Sequence, residues 1–163
     1  MKEKIQLSNE IIVTDPCYGY DLNFCQENIS NMKPGIYTCE IEYLNDNSEQ
    51  IVKSISITCD DYEQTMSSKI LCSDSICVDS GQAGFFDYDF YKDNTDNNKK
   101  EFYDYCCNKT LSKERYGIIK DKGFIASSGF GDGVYNMYSI KNDKGEIVKL
   151  EIIFIEDDEI DEE

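Results

Sequence analysis

Three short stretches carry the residue types and spacings that could do chemistry: "VTDPCYGY" (13–20), "VDSGQAGFFD" (78–87) and "SSGFGDGVY" (127–135). Each sets an aspartate among turn-forming residues: Asp15, Asp79 and Asp132. A carboxylate on a constrained loop can accept hydrogen bonds from backbone amides or help bind a cation. Two such carboxylates sharing a proton would do the acid–base work of an aspartic protease, and "ICVDSGQAG" has the apolar-apolar-Asp-Ser-Gly pattern for one half of that pair. The other half is missing, because Asp132 in "FGDGV" lacks the rest of the pattern. The Gly-x-Gly of the third stretch is not a dinucleotide fingerprint either: the position three after Gly131 is Val134, and a β-branched, aromatic run follows instead of a helix. "DYDFYKDNTDNNKKE" has alternate aspartates but lacks the central Gly and terminal Glu of an EF-hand.

Composition narrows the chemistry further. The 163 residues contain no His, which removes Ser-His-Asp and Cys-His catalysis and Cys/His zinc sites. With 33 acidic against 16 basic residues the formal charge is −17. That sign opposes binding to nucleic acid phosphates and to anionic membrane surfaces, and it suits a basic protein partner, a bound cation or simple solubility. Eight cysteines occur without a CxxC pair, so zinc knuckles are not indicated. "MKEKIQLSNEIIV" has no run long enough for a signal-peptide core, and no later run reaches membrane-spanning length. A cytoplasmic location is therefore expected, with reduced thiols serving structure; Cys39 and Cys59, in strand-like alternation, read as core.

The elements that must position these loops are mostly strands. "GIYTCEIEYL" alternates Tyr37, Cys39, Ile41 and Tyr43 against Thr38, Glu40 and Glu42, and "IVKSISITC" alternates again, so the two read as a hairpin. "SICVDSGQAGFFD" reads as strand, glycine turn and strand. "DYDFYKDNTDNN" is polar and reads as a surface loop, and the segment after it gives one substantial helix at about 97–109. "GVYNMYSI" and "EIVKLEIIFI" flank "KNDKG", a tight hairpin turn. "DDYEQTMSSKI" is ambiguous. The expectation is a mainly β, α+β single domain over 1–155, built as an antiparallel sheet, sandwich or barrel-like set of hairpins. An acidic disordered tail is expected over 156–163.

The three motifs together resemble a family of small bacterial and phage proteins catalogued as a domain of unknown function. Its members carry Asp-Pro-Cys-Tyr, Val-Asp-Ser-Gly-Gln-x-Gly and Gly-(Tyr/Phe)-Gly-Asp-Gly-x-Tyr, here Asp15–Tyr18, Val78–Gly84 and Gly129–Tyr135. Related phage proteins carry the last two motifs in the opposite order, which implies that the motifs meet in space whatever their chain order. This chain has Phe24 and Asn136 where the family commonly has Trp and Pro. No established activity comes with the resemblance.

The candidate cluster is therefore Asp15, Tyr18, Asp79, Ser80, Gln82, Gly84, Gly131, Asp132, Gly133 and Tyr135, acting as a structural knot, a ligand site or a protein-contact surface. No catalytic residue is assigned and no cofactor is expected. If a divalent cation binds, Asp15, Asp79 and Asp132 are its expected ligands. Two functions stay open: a non-enzymatic binding protein of the immunity or inhibitor type that masks a basic partner, and a small-ligand or cation-binding hydrolase using the three aspartates. The missing His and the incomplete catalytic patterns favour the first. Oligomeric state is not legible.

Overall fold

The computed structural model describes residues 3–22, 24–44, 50–62, 70–72 and 75–157. In chain order the elements are β1 (Glu3–Leu7), β2 (Ile11–Thr14), β3 (Glu27–Ile29), β4 (Gly35–Leu44), β5 (Ile51–Cys59), β6 (Ile70–Leu71), β7 (Ile76–Val78) and β8 (Gln82–Asp87). They continue with α1 (Tyr88–Asn97), α2 (Lys99–Thr110), β9 (Tyr116–Ile119), β10 (Gly123–Ser127), β11 (Gly133–Lys141) and β12 (Ile147–Ile153).

The strands form two antiparallel sheets. Sheet 1 runs β1-β4-β5-β12-β11-β6, with β7 also paired to β11; sheet 2 runs β3-β2-β8-β10-β9. The β4–β5 and β11–β12 hairpins form as their alternation and turn residues anticipate. One core lies between the sheets, where Tyr37, Ile55, Ile57, Leu150 and Ile152 of sheet 1 meet Val13, Phe85 and Phe124 of sheet 2. The opposite face of sheet 2 packs Ile12, Phe86, Ile119 and Ile125 against Tyr91, Phe102 and Cys106 of the helices. Sheet 2 is thus covered on both sides, and every residue of β2 and β8 is buried, so the Ala83–Phe86 centre of β8 does not alternate with polar residues.

Three sequence expectations change: the number of helices, the polar surface loop and the free thiols. There are two helices, not one: the polar stretch expected as a surface loop is α1, while the helix expected at about 97–109 is α2, Lys99–Thr110. Only Tyr91 of α1 is buried, with its ring 4.9 Å from Phe86 and 5.5 Å from Phe102. One anchoring aromatic in ten residues leaves almost no periodic signal. The strands flanking the Asp79 turn do not pair with each other, because β7 joins β11 in sheet 1 while β8 joins sheet 2. And the thiols are not all free, since Cys25 and Cys77 are disulfide-bonded across 52 residues.

The ambiguous segment falls largely within 63–69, and most of the expected tail, 158–163, also lies outside the described residues. The start of that tail makes contacts: Lys53 Nζ lies 2.7 Å from Asp157, and Glu156 Oε1 lies 3.5 Å from Asn136 Nδ2 and Tyr138 Oη. Among the described residues no helix is long and apolar enough to cross a membrane.

Candidate functional site

The second motif stands between the other two. β7 ends at Val78 and β8 begins at Gln82 in the other sheet, so residues 79–81 bridge the two sheets. The first loop follows β2 and the third precedes β11, and these strands pair with β8 and β7 respectively. Strand pairing brings all three loops to one end of the molecule.

Asp15 holds the first loop to the second. Its side chain is fully buried and its carboxylate accepts four hydrogen bonds. Cys17 N–H (2.8 Å) and Ser80 Oγ–H (2.5 Å) donate to Oδ1; Asp79 N–H (2.9 Å) and Ser80 N–H (2.7 Å) donate to Oδ2. A carboxylate offers about four acceptor positions, and all are occupied. Two successive amides on one oxygen form a nest, whose backbone dipoles favour a buried anion.

Asp132 holds the third loop to the second. Its Oδ1 accepts Gly81 N–H at 2.9 Å, and Gly81 C=O accepts Ser128 N–H at 3.0 Å. Ser128 closes the turn on itself: its C=O accepts Gly131 N–H (3.0 Å) and its hydroxyl donates to Gly131 C=O (2.8 Å). The Tyr135 hydroxyl is shared between the carbonyls of Gly131 and Ser128. Gly131, at φ +123°, takes a backbone conformation that side-chain-bearing residues avoid. Gly133 pairs with Val78, and a Cβ there would stand 3.2 Å from the Tyr135 hydroxyl.

Asp79 is exposed and accepts the Tyr18 hydroxyl in a short hydrogen bond. Desolvation, then that bond, raises the Tyr18 phenol above its usual range. Gln82 is buried behind the loops, with Nε2 donating to Ser80 Oγ (3.3 Å) and Oε1 accepting from Thr110 of α2 (3.0 Å). Gly84 sits opposite Ile125 where β8 pairs with β10: a Cβ would fall 2.3 Å from the Phe124 carbonyl oxygen.

Several members of the network were not singled out from the sequence. The Cys17 thiol is pushed up to about 12 by burial, then by its hydrogen bond to Asp15 and the charges of Asp15 and Asp79. It lies inside the quoted first motif, as Ser128 lies inside the third, so both were within reach of the pattern. Tyr91 gave no signal, yet its hydroxyl donates to Tyr18 C=O at 2.5 Å. Gln26 also ties the first loop, through Thr14 Oγ1 (2.8 Å) and Leu22 N–H (3.0 Å).

The chemistry open to this arrangement is limited. Asp15 accepts the Asp79 main-chain amide while Asp79 accepts a phenol, so the two carboxylates do not bond to each other as a proton-sharing dyad would. Among the described residues no group of three or more His, Cys, Asp or Glu side chains could hold a metal ion. What the cluster does is crosslink three loops through two carboxylates and one phenol pair.

None of the curated proteins and none of the solved structures matches this chain. Residues 75–152, which contain the second and third loops but not Asp15, match the family model described as "Protein of unknown function (DUF4241)".

Proposed function

We propose that the protein is a non-enzymatic binding protein of the immunity or inhibitor type, which masks a basic protein partner. The observation that carries this reading is the division of its acids. Asp15, the one buried carboxylate of the loop cluster, is saturated by internal donors, while the acid excess lies outside. On the outer face of sheet 1, register rows align Glu40–Ser56–Glu151–Tyr138 and Glu42–Ser54–Ile153–Asn136. Glu156 and Asp157 continue that face. Lys53, displaced outward where the β4–β5 register shifts, sits among these acids at 3.2 Å from Glu42 and 2.7 Å from Asp157. Glu42 and Asp157 contact this lysine, and with Glu40, Glu151 and Glu156 the acids outnumber Lys53 and Lys149 on this face, which attracts and orients a cationic surface. The same reading groups the chain with the small bacterial and phage proteins its motifs resemble, two of which fall inside the matched segment.

The test is affinity capture from cells of the source organism, with wild type and the surface variant Glu40→Lys/Glu42→Lys side by side, at low and high ionic strength. The expected result is a stoichiometric basic protein retained by wild type, released by salt and lost in the variant. Capture of nothing basic, or equal capture by both proteins at high salt, refutes the proposal.

A further inference from the structure

The third loop is heavily ordered, yet it presents an aromatic ring to water. Phe130 is 72% exposed, while Ser128, two residues earlier, is 1% exposed. The flanking glycines hold φ of +62° (Gly129) and +123° (Gly131). The bonds of Ser128, Asp132 and Tyr135 described above fix the turn at Gly81 and on itself. Ordering glycine-rich backbone costs more conformational entropy than ordering other residues, and a merely connecting turn does not require a large ring at its tip.

Two other exposed apolar residues stand on segments joined to this loop. Val134, the second residue of β11, is 66% exposed and pairs with Cys77. Cys77 is bonded to Cys25, which follows Phe24, itself 67% exposed. Acids lie alongside: Asp132 is in the same loop, Asp79 adjoins Val78, the register partner of Gly133, and Glu156 meets Asn136 two residues along β11 from Val134. Val134 and Asn136 also share one face of β11, so this apolar end runs into the acidic outer face of sheet 1.

We infer that Phe130, supported by Val134 and Phe24, is the anchor of the partner interface. Its occupant is a protein surface with an apolar pocket for the ring, bordered by Lys or Arg side chains facing Asp79, Asp132 and Glu156. The occupant follows from charge complementarity with a chain of formal charge −17, and from the habit of interfaces to centre on a rigid, preorganised aromatic inside a polar rim. This inference rests on the binding-protein reading above.

The experiment uses purified full-length protein with benzoylphenylalanine replacing Phe130, or replacing Leu111 as an equally exposed control (74%) beyond α2, irradiated in lysate of the source cells. The expected outcome is one crosslinked basic protein from position 130 and none from 111, with Phe130→Ala weakening capture of that protein by more than about 10-fold while thermal stability is unchanged. A salt-sensitive basic partner captured by wild type but crosslinking at 111 alone, or bound equally by Phe130→Ala, overturns the anchor and leaves the binding reading intact. No basic partner by either route overturns both.

Discussion

Replacing Asp15 by Asn tests whether the carboxylate holds the loops together. The change is isosteric, so packing is preserved and only acceptors are altered. Wild-type Asp15 accepts three backbone amides and one hydroxyl. An Asn oxygen placed at Oδ2 keeps the Asp79 and Ser80 amides. The NH2 then replaces Oδ1, where the Ser80 hydroxyl can rotate to accept but the Cys17 amide faces another donor. An orphaned buried donor costs about 1–3 kcal/mol, and the remaining bonds lose the assistance of a charged acceptor, each such bond being worth about 1.5–3 kcal/mol to begin with. The expected loss is about 3–4 kcal/mol, and Asp15→Ala should exceed it. Asp132→Asn is the internal control: its single amide bond, from Gly81, survives on the Asn oxygen at an exposed site, and the loss should stay under about 1 kcal/mol. Urea unfolding followed by tyrosine fluorescence and circular dichroism reads both as shifts in midpoint at unchanged m. A loss below about 1 kcal/mol for Asp15→Asn, or losses equal at the two sites, would refute the account of Asp15 as the crosslink.

Three further outcomes follow from the packing and the thiols. Gly84→Ala should destabilise by about 3 kcal/mol or more, since its Cβ meets the Phe124 carbonyl at 2.3 Å inside a doubly covered sheet; a melting temperature near wild type would show that β8 and β10 can separate locally. Reducing the Cys25–Cys77 bond should cost about 4 kcal/mol, by the loop-closure entropy of its 52-residue separation. Denaturation with and without reductant measures this, and rapid alkylation on cell lysis shows whether the bond exists in the reducing setting expected from the sequence. The thiols of Cys17, Cys39 and Cys106 are each held at about 12 by burial first, against 9.0 when free. The folded state therefore binds these protons more tightly than the unfolded chain, so stability is full below pH 9 and falls as pH rises from 9 toward 12. A urea midpoint unchanged across that range would refute the burial of these thiols.

Local chemistry was legible without a structure. Residue alternation set the β4–β5 hairpin, and "KNDKG" marked the turn between β11 and β12, because side-chain period and turn preference act over a few residues. The three aspartate motifs were equally visible as places where turn chemistry concentrates. What each aspartate does was decided elsewhere. Asp15 takes two amides and a hydroxyl from residues 64 and 65 positions away, and Asp132 takes one from 51 positions away. No local pattern encodes such partners; they exist only once β2 and β7–β8 are paired into their sheets. The same distance hid the Cys25–Cys77 bond, and a single buried Tyr91 was too little to reveal α1. Tertiary structure also decided the exposure of Phe130 and Val134, both of apolar type: closure of the Ser128–Gly131 turn and the alternation along β11 turn both side chains outward to water.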